Sequence, residues 1–149
     1  MTIVRAGDPA PDFTLKTADG EDFTREQLLG RTTVLVFYPF AFSPVCTDQL
    51  SIYNEVLDEF RARGATLYGV SCDAVWSQKA FKEHLNIDIE QLSDFEPKGA
   101  TCRAFGVLHE RGMPERALVV IGPDAVVKWS YQAPQLSDLP GANLIFDAL

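Results

Sequence analysis

The residues whose types and spacing could do chemistry lie in one segment, Tyr38-Pro39-Phe40-Ala41-Phe42-Ser43-Pro44-Val45-Cys46. Ser43 suits a helix N-cap and Pro44 the first helical position, where a missing N–H costs nothing, so Cys46 falls third in the helix. There the sulfur faces unpaired N–H groups and the positive end of the helix dipole, an environment that lowers a thiol below its free value of about 8.5. The thiolate is the reactive form. Steps of four and three residues from Cys46 reach Leu50, Tyr53, Leu57 and Phe60, which places the cysteine on the helix's apolar face, in a pocket rather than in open solvent. Burial alone opposes ionisation, so a nucleophilic Cys46 requires a cation close by.

The elements that must position this segment follow from hydrophobic pattern. Thr32-Thr33-Val34-Leu35-Val36-Phe37-Tyr38 is a continuous β-branched and aromatic run, the mark of a strand buried on both faces. The spacing predicts one helix from Pro44 to Arg63, with Gly64 as its C-terminal cap. Thr66 to Ser71 repeats the strand pattern, and Asp73 is placed to cap a helix through Trp76, Phe81 and Leu85. Before the active segment, Asp19-Gly20 marks a turn between two short extended runs, an N-terminal β-hairpin, and Glu26 to Gly30 reads as one helical turn. After it come a helix from Pro97 to Phe105, a hairpin of Arg116–Ile121 and Ala125–Ser130 around Gly122-Pro123-Asp124, and a helix from Gly141 to Leu149. Helix-connected strands followed by a hairpin imply an α/β fold, a central mixed β-sheet with helices on both faces.

The totals narrow the function classes. The 149 residues carry 46% hydrophobic and 23% charged side chains, which fits one soluble domain over 1–149. A net charge of −8 without a Lys/Arg cluster argues against nucleic acid. The first nine residues lack a signal peptide's apolar centre and no apolar run approaches the roughly 18 residues of a membrane span, so a cytoplasmic location without membrane contact is expected. Cys46, Cys72 and Cys102 are too widely spaced for a Cys-x-x-Cys, and with only His84 and His109 beside them neither a metal nor another cofactor is expected.

Pro39-x-x-x-Ser43-x-x-Cys46 at a strand-to-helix junction resembles the active-site signature of the peroxiredoxins, which more often carry Thr at the Ser43 position. Ala10-Pro11-Asp12-Phe13, Leu92-Ser93-Asp94, Ala104-Phe105-Gly106-Val107 and Arg116 at the start of a late strand extend the resemblance over nearly the whole chain. It implies a thioredoxin-like fold and a thiol peroxidase. Cys46 would attack a peroxide oxygen and become a sulfenic acid, Ser43 would hydrogen-bond the peroxide, Pro39 would shield the pocket, and Arg116 would supply the cation. Gln49 stands where many such proteins have Glu, yet keeps a carbonyl acceptor for a guanidinium N–H. The wording around Pro39 to Ser43 is similar to the one-cysteine group related to the E-type alkyl hydroperoxide reductase of mycobacteria. That implies hydroperoxide substrates, reduction by an external thiol or a thioredoxin- or mycoredoxin-like protein, and a homodimer.

Cys72 and Cys102 read as packing residues, since free cysteine is among the most buried residue types, with Cys102 the alternative resolving cysteine. Trp76, Phe81, Phe40 and Phe42 read as core or interface aromatics, the last two near enough to Cys46 to line an apolar substrate pocket. A non-catalytic thioredoxin-like binding or scaffold domain is the alternative from another class, because fold alone implies no activity. A dithiol oxidoreductase lacks its Cys-x-x-Cys, and a Cys/His hydrolase is a more distant alternative, since neither His84 nor His109 lies in the sequence neighbourhood of Cys46.

Overall fold

Residues 2–149 are described by the computed structural model. Seven strands form one mixed sheet in the order β2-β1-β5-β4-β3-β6-β7. They are β1 (Thr14–Lys16), β2 (Asp22–Thr24), β3 (Thr32–Phe37), β4 (Ala65–Ser71), β5 (Glu90–Ser93), β6 (Ala117–Ile121) and β7 (Val127–Gln132). Between them run α1 (Pro44–Glu55), α2 (Leu57–Ala62), α3 (Val75–Leu85) and α4 (Ala100–Ala104), with α5 (Ala142–Ala148) after β7. The helical crossovers make β3, β4 and β5 parallel, and the tight turns make the β1/β2 and β6/β7 pairs antiparallel.

Strand β3 organises the molecule. Its alternating side chains divide the interior: Val34 and Val36, followed by Tyr38, face α1, α2, α3 and α5, while Leu35 and Phe37 face α4 and the 3-10 turn Arg25–Leu28. Cys46 belongs to the first of these cores and Cys102 to the second, against which Cys72 also packs.

Three expectations change in detail. The helix expected from Pro44 to Arg63 is broken at Val56, whose φ of −112° and ψ of 17° leave the helical region and whose N–H turns back to Tyr53 and Asn54. The apolar spacing runs through the break, so Leu50, Tyr53, Leu57 and Phe60 all stay buried and the periodicity conceals it. The helix expected from Pro97 to Phe105 shortens to α4, since residues 97–99 form a turn and Gly99 enters with φ +73°. Asp73 does not cap α3: Ala74 holds that position and makes no side-chain cap. Strand β5 had no sequence signal, because Glu90 and Gln91 break the apolar run, yet Tyr68 to Ser71 pair with it residue by residue.

Candidate active site

Ser43, with extended backbone, is the N-cap of α1, Pro44 follows it, and Cys46 is the third helical residue. The Ser43 hydroxyl does not cap the helix but donates to the Phe40 carbonyl at 2.9 Å. Among the described residues, no side chain therefore caps the first-turn N–H groups at the sulfur's end of α1. Cys46 is fully buried, 0% exposed.

Arg116 immediately precedes β6, whose neighbour β3 leads into the Cys46 segment, so antiparallel pairing returns the guanidinium to the sulfur across 70 residues of sequence. Each of its three nitrogens is committed: Nη2 donates to Cys46 Sγ at 3.3 Å, Nη1 to Gln49 Oε1 at 2.6 Å, and Nε to the Leu136 carbonyl at 2.8 Å. Gln49, one turn after Cys46, in turn donates through Nε2 to the Tyr53 hydroxyl, which donates to the Pro140 carbonyl. Burial pushes Tyr53 up to about 12 from its ordinary 10.0, so the phenol remains a donor in this chain of bonds. A fixed guanidinium fork held by neutral acceptors keeps its positive charge uncompensated at the one atom that can become an anion, Cys46 Sγ.

The loop before α1 is held from outside the motif. Asp73 Oδ2 accepts the Ala41 N–H at 2.8 Å and the Ser71 hydroxyl at 2.7 Å. Phe42 adopts φ +70°, a left-handed conformation that costs a bulky residue about 1–3 kcal/mol, and its ring packs on Phe81 and His84 of α3. Neither anchor could be read from sequence as part of the site, because α3 meets the loop only in the folded chain.

Arg116 is thus brought onto Cys46, while Pro39, buried, and Ser43, half-buried, lie on the segment that leads from β3 into α1. The two phenylalanines differ from expectation. Phe40 lies on the rim of a neighbouring cavity of about 370 Å³ lined also by Pro39, Cys72, Asp73 and Phe95, which Cys46 does not line, and Phe42 turns to α3. Both are half exposed rather than core, as is Phe95, and Trp76 is 78% exposed beneath the Lys79 ammonium. Among the described residues, one cluster outside the site brings potential metal ligands together: Cys72, Asp94 and Cys102, whose Sγ and carboxylate oxygen atoms all lie within 4.8 Å of one another. No helix among the described residues is long and apolar enough to cross a membrane.

Residues 6–130 match the AhpC/TSA family. A peroxiredoxin of Thermoplasma volcanium is 33% identical over 135 residues, 86% of this chain and 65% of that protein, so this chain spans slightly under two thirds of its length. A putative peroxiredoxin in the rubredoxin operon of Clostridium pasteurianum is 32% identical over 140 residues, 83% of this chain and 76% of that protein. In three dimensions the chain superposes on the crystal structure of peroxidoxin BcpB from Mycobacterium tuberculosis with a TM-score of 0.85 at 29% identity, covering 97% of this chain and 96% of that one. The thioredoxin-like sheet, the strand-to-helix cysteine and this similarity agree: the chain belongs to the AhpC/TSA family, among the peroxiredoxins.

Proposed function

We propose that residues 1–149 act as one peroxidase domain that reduces hydrogen peroxide and organic hydroperoxides through Cys46. The observation that carries this reading is the 3.3 Å hydrogen bond from Arg116 Nη2 to Cys46 Sγ, in a site where Gln49 and the Leu136 carbonyl fix the other guanidinium nitrogens. Attack of the thiolate on a peroxide oxygen breaks the O–O bond and moves negative charge from sulfur to the departing oxygen. A guanidinium that already touches the sulfur and the open N–H groups of the first turn of α1 can stabilise that charge as it develops. The Ser43 hydroxyl, which now serves Phe40, would turn to the bound peroxide, and the buried Pro39 would keep water from the sulfur.

The product on the protein is a Cys46 sulfenic acid, reduced in this reading by an external thiol or a small thioredoxin- or mycoredoxin-like protein, as in a one-cysteine peroxiredoxin. Support comes from placement: Cys72 and Cys102 pack in the core on the opposite sheet face from Cys46. The exposed Phe42 ring favours a homodimer packed near the active-site loop, and three free thiols favour the cytoplasm. The test is Cys46→Ser. Peroxide consumption with excess thiol should fall steeply while the circular dichroism spectrum stays the same; unchanged consumption would overturn the reading.

A further inference from the structure

Two of the three thiols are absent from the reaction above, and they are not apart from each other. Cys72 follows β4 and Cys102 sits in α4, yet their sulfurs and an oxygen of Asp94 fall within 4.8 Å of one another. Asp94, directly after β5, is buried, and its oxygens accept the Thr101 N–H at 3.1 Å and the Cys102 N–H at 2.8 Å. Its own N–H bonds the Ser71 carbonyl at 2.8 Å, which ties the carboxylate to the strand that delivers Cys72. Access differs between the sulfurs: Cys102 is sealed, whereas Cys72 is half-buried and lines the cavity of about 370 Å³ that also holds Lys98 and Arg111.

We propose that Cys72 and Cys102 form a second, reversible dithiol–disulfide centre, independent of Cys46, in which a hydroperoxide entering the cavity oxidises Cys72 and Cys102 resolves it with Asp94 as proton acceptor. It does not rest on the role given to Cys46.

The polarity of the pair fits this direction. The hydrogen bond from the Cys102 thiol lowers Cys72, with Lys98 adding to the effect against burial, Asp94 and Asp73, while the same bond and burial push Cys102 up. The more exposed sulfur is therefore the better thiolate and the buried one keeps its proton. Burial also raises Asp94 above the ordinary carboxylate value, which makes it a stronger base than a solvated carboxylate. The Cys72 thiolate attacks the peroxide, an S–O bond forms, the O–O bond breaks, and the alkoxide leaves as alcohol with the proton Cys72 gave up. Cys72 is now a sulfenic acid, oxidised by two electrons. Cys102 passes its proton to Asp94 and attacks the Cys72 sulfur, the S–S bond forms, and the hydroxide departs as water with the Asp94 proton. In sum two thiols and one hydroperoxide give a disulfide, an alcohol and water.

The experiment uses the full chain carrying Cys46→Ser, treated with hydrogen peroxide and mapped by mass spectrometry. The expected product is lighter by two hydrogens, joins tryptic peptides 64–79 and 99–103, and returns to dithiol with dithiothreitol. With Cys102→Ser added, the sulfenic acid on Cys72 should become trappable by dimedone. With Asp94→Asn added, which keeps an acceptor for one of the two N–H groups, disulfide closure should slow about 100-fold near neutral pH, the usual size of a lost proton acceptor. Two thiols still open to alkylation after peroxide, a disulfide between chains, or protection of both thiols by added zinc without any disulfide would each overturn the proposal.

Discussion

The chain holds two sulfur sites on opposite faces of one sheet, and they differ in the sign of the charge beside the sulfur. Cys46 faces a guanidinium at 3.3 Å, with neutral Gln49 and Tyr53 behind it. The Cys72–Cys102 pair faces the carboxylate of Asp94. A cation lowers the cost of negative charge on the attacking sulfur and on the oxygen it expels, so it serves the step that breaks an O–O bond. A carboxylate opposes that charge but can take a proton, so it serves the step in which a second thiol must lose one. Neighbouring charge rather than the cysteine itself thus sets which step each site favours: O–O cleavage at Cys46, and disulfide closure at Cys72 and Cys102, where the carboxylate slows the attack on peroxide that precedes it.

The largest break of this contrast should come from Arg116→Lys, which keeps the charge but loses the planar fork that holds Cys46, Gln49 and Leu136 together. Loss of a preorganised donor of this kind costs about 100-fold or more in rate. Stopped-flow measurement of Cys46 oxidation should show that fall while Cys72 alkylation in the same variant stays unchanged. An equal fall at both sulfurs would mean that the two sites are not separate. Next in size is Cys102→Ala, read by the pH profile of Cys72 alkylation. The groups facing Cys72 are Cys102, Asp94, Asp73 and Lys98, and the Cys102 hydrogen bond is the largest influence lowering it. Its removal should move the profile to higher pH and leave peroxide consumption at Cys46 as it was; a profile that stays put would show that the thiol pair does not interact.

The two sites were unequally legible in the sequence. Cys46 could be placed because its environment is local: Ser43 and Pro44 fix the start of α1, and three residues fix the sulfur's position in it. Arg116 could be named through family resemblance, and Gln49 as its partner through hydrogen-bonding capacity, although the contact spans 67 residues of sequence. Cys72, Asp94 and Cys102 carry no such local mark. They meet because β4 and β5 pair in parallel, Tyr68 with Glu90 through Ser71 with Ser93, and β5 is the strand that hydrophobic pattern does not reveal. Two packing cysteines are expected there, but only Cys102 is sealed, Cys72 is half-buried, and their proximity leaves no mark in the sequence. Asp73 failed differently: its type and position fit an N-cap, and only the fold shows the carboxylate turned to Ala41 and Ser71 instead.

Smaller effects should sharpen the Cys46 side alone. Gln49→Ala removes one of the three acceptors that orient Arg116, a hydrogen bond to a charged group worth about 1.5 kcal/mol, and should slow peroxide reduction about 10-fold. Rescue by Gln49→Glu, which restores an acceptor, would assign the loss to guanidinium orientation; a Gln49→Glu variant as slow as Gln49→Ala would point to packing.

The smallest change belongs to Tyr53, behind Gln49. Its folded value is raised by burial from 10.0 to about 12, so its contribution to stability is complete below pH 10 and is lost as pH rises through about 12. Above pH 10 an unfolded chain releases the phenolic proton that the folded chain still holds between Gln49 and the Pro140 carbonyl. Tyr53→Phe removes that proton along with both bonds, so it should cost about 1 kcal/mol at neutral pH and flatten the alkaline limb of a urea stability curve between pH 10 and 12. An equally steep limb in Tyr53→Phe would place the alkaline weakness elsewhere in the core, with buried Tyr38, raised further still, the first residue to replace.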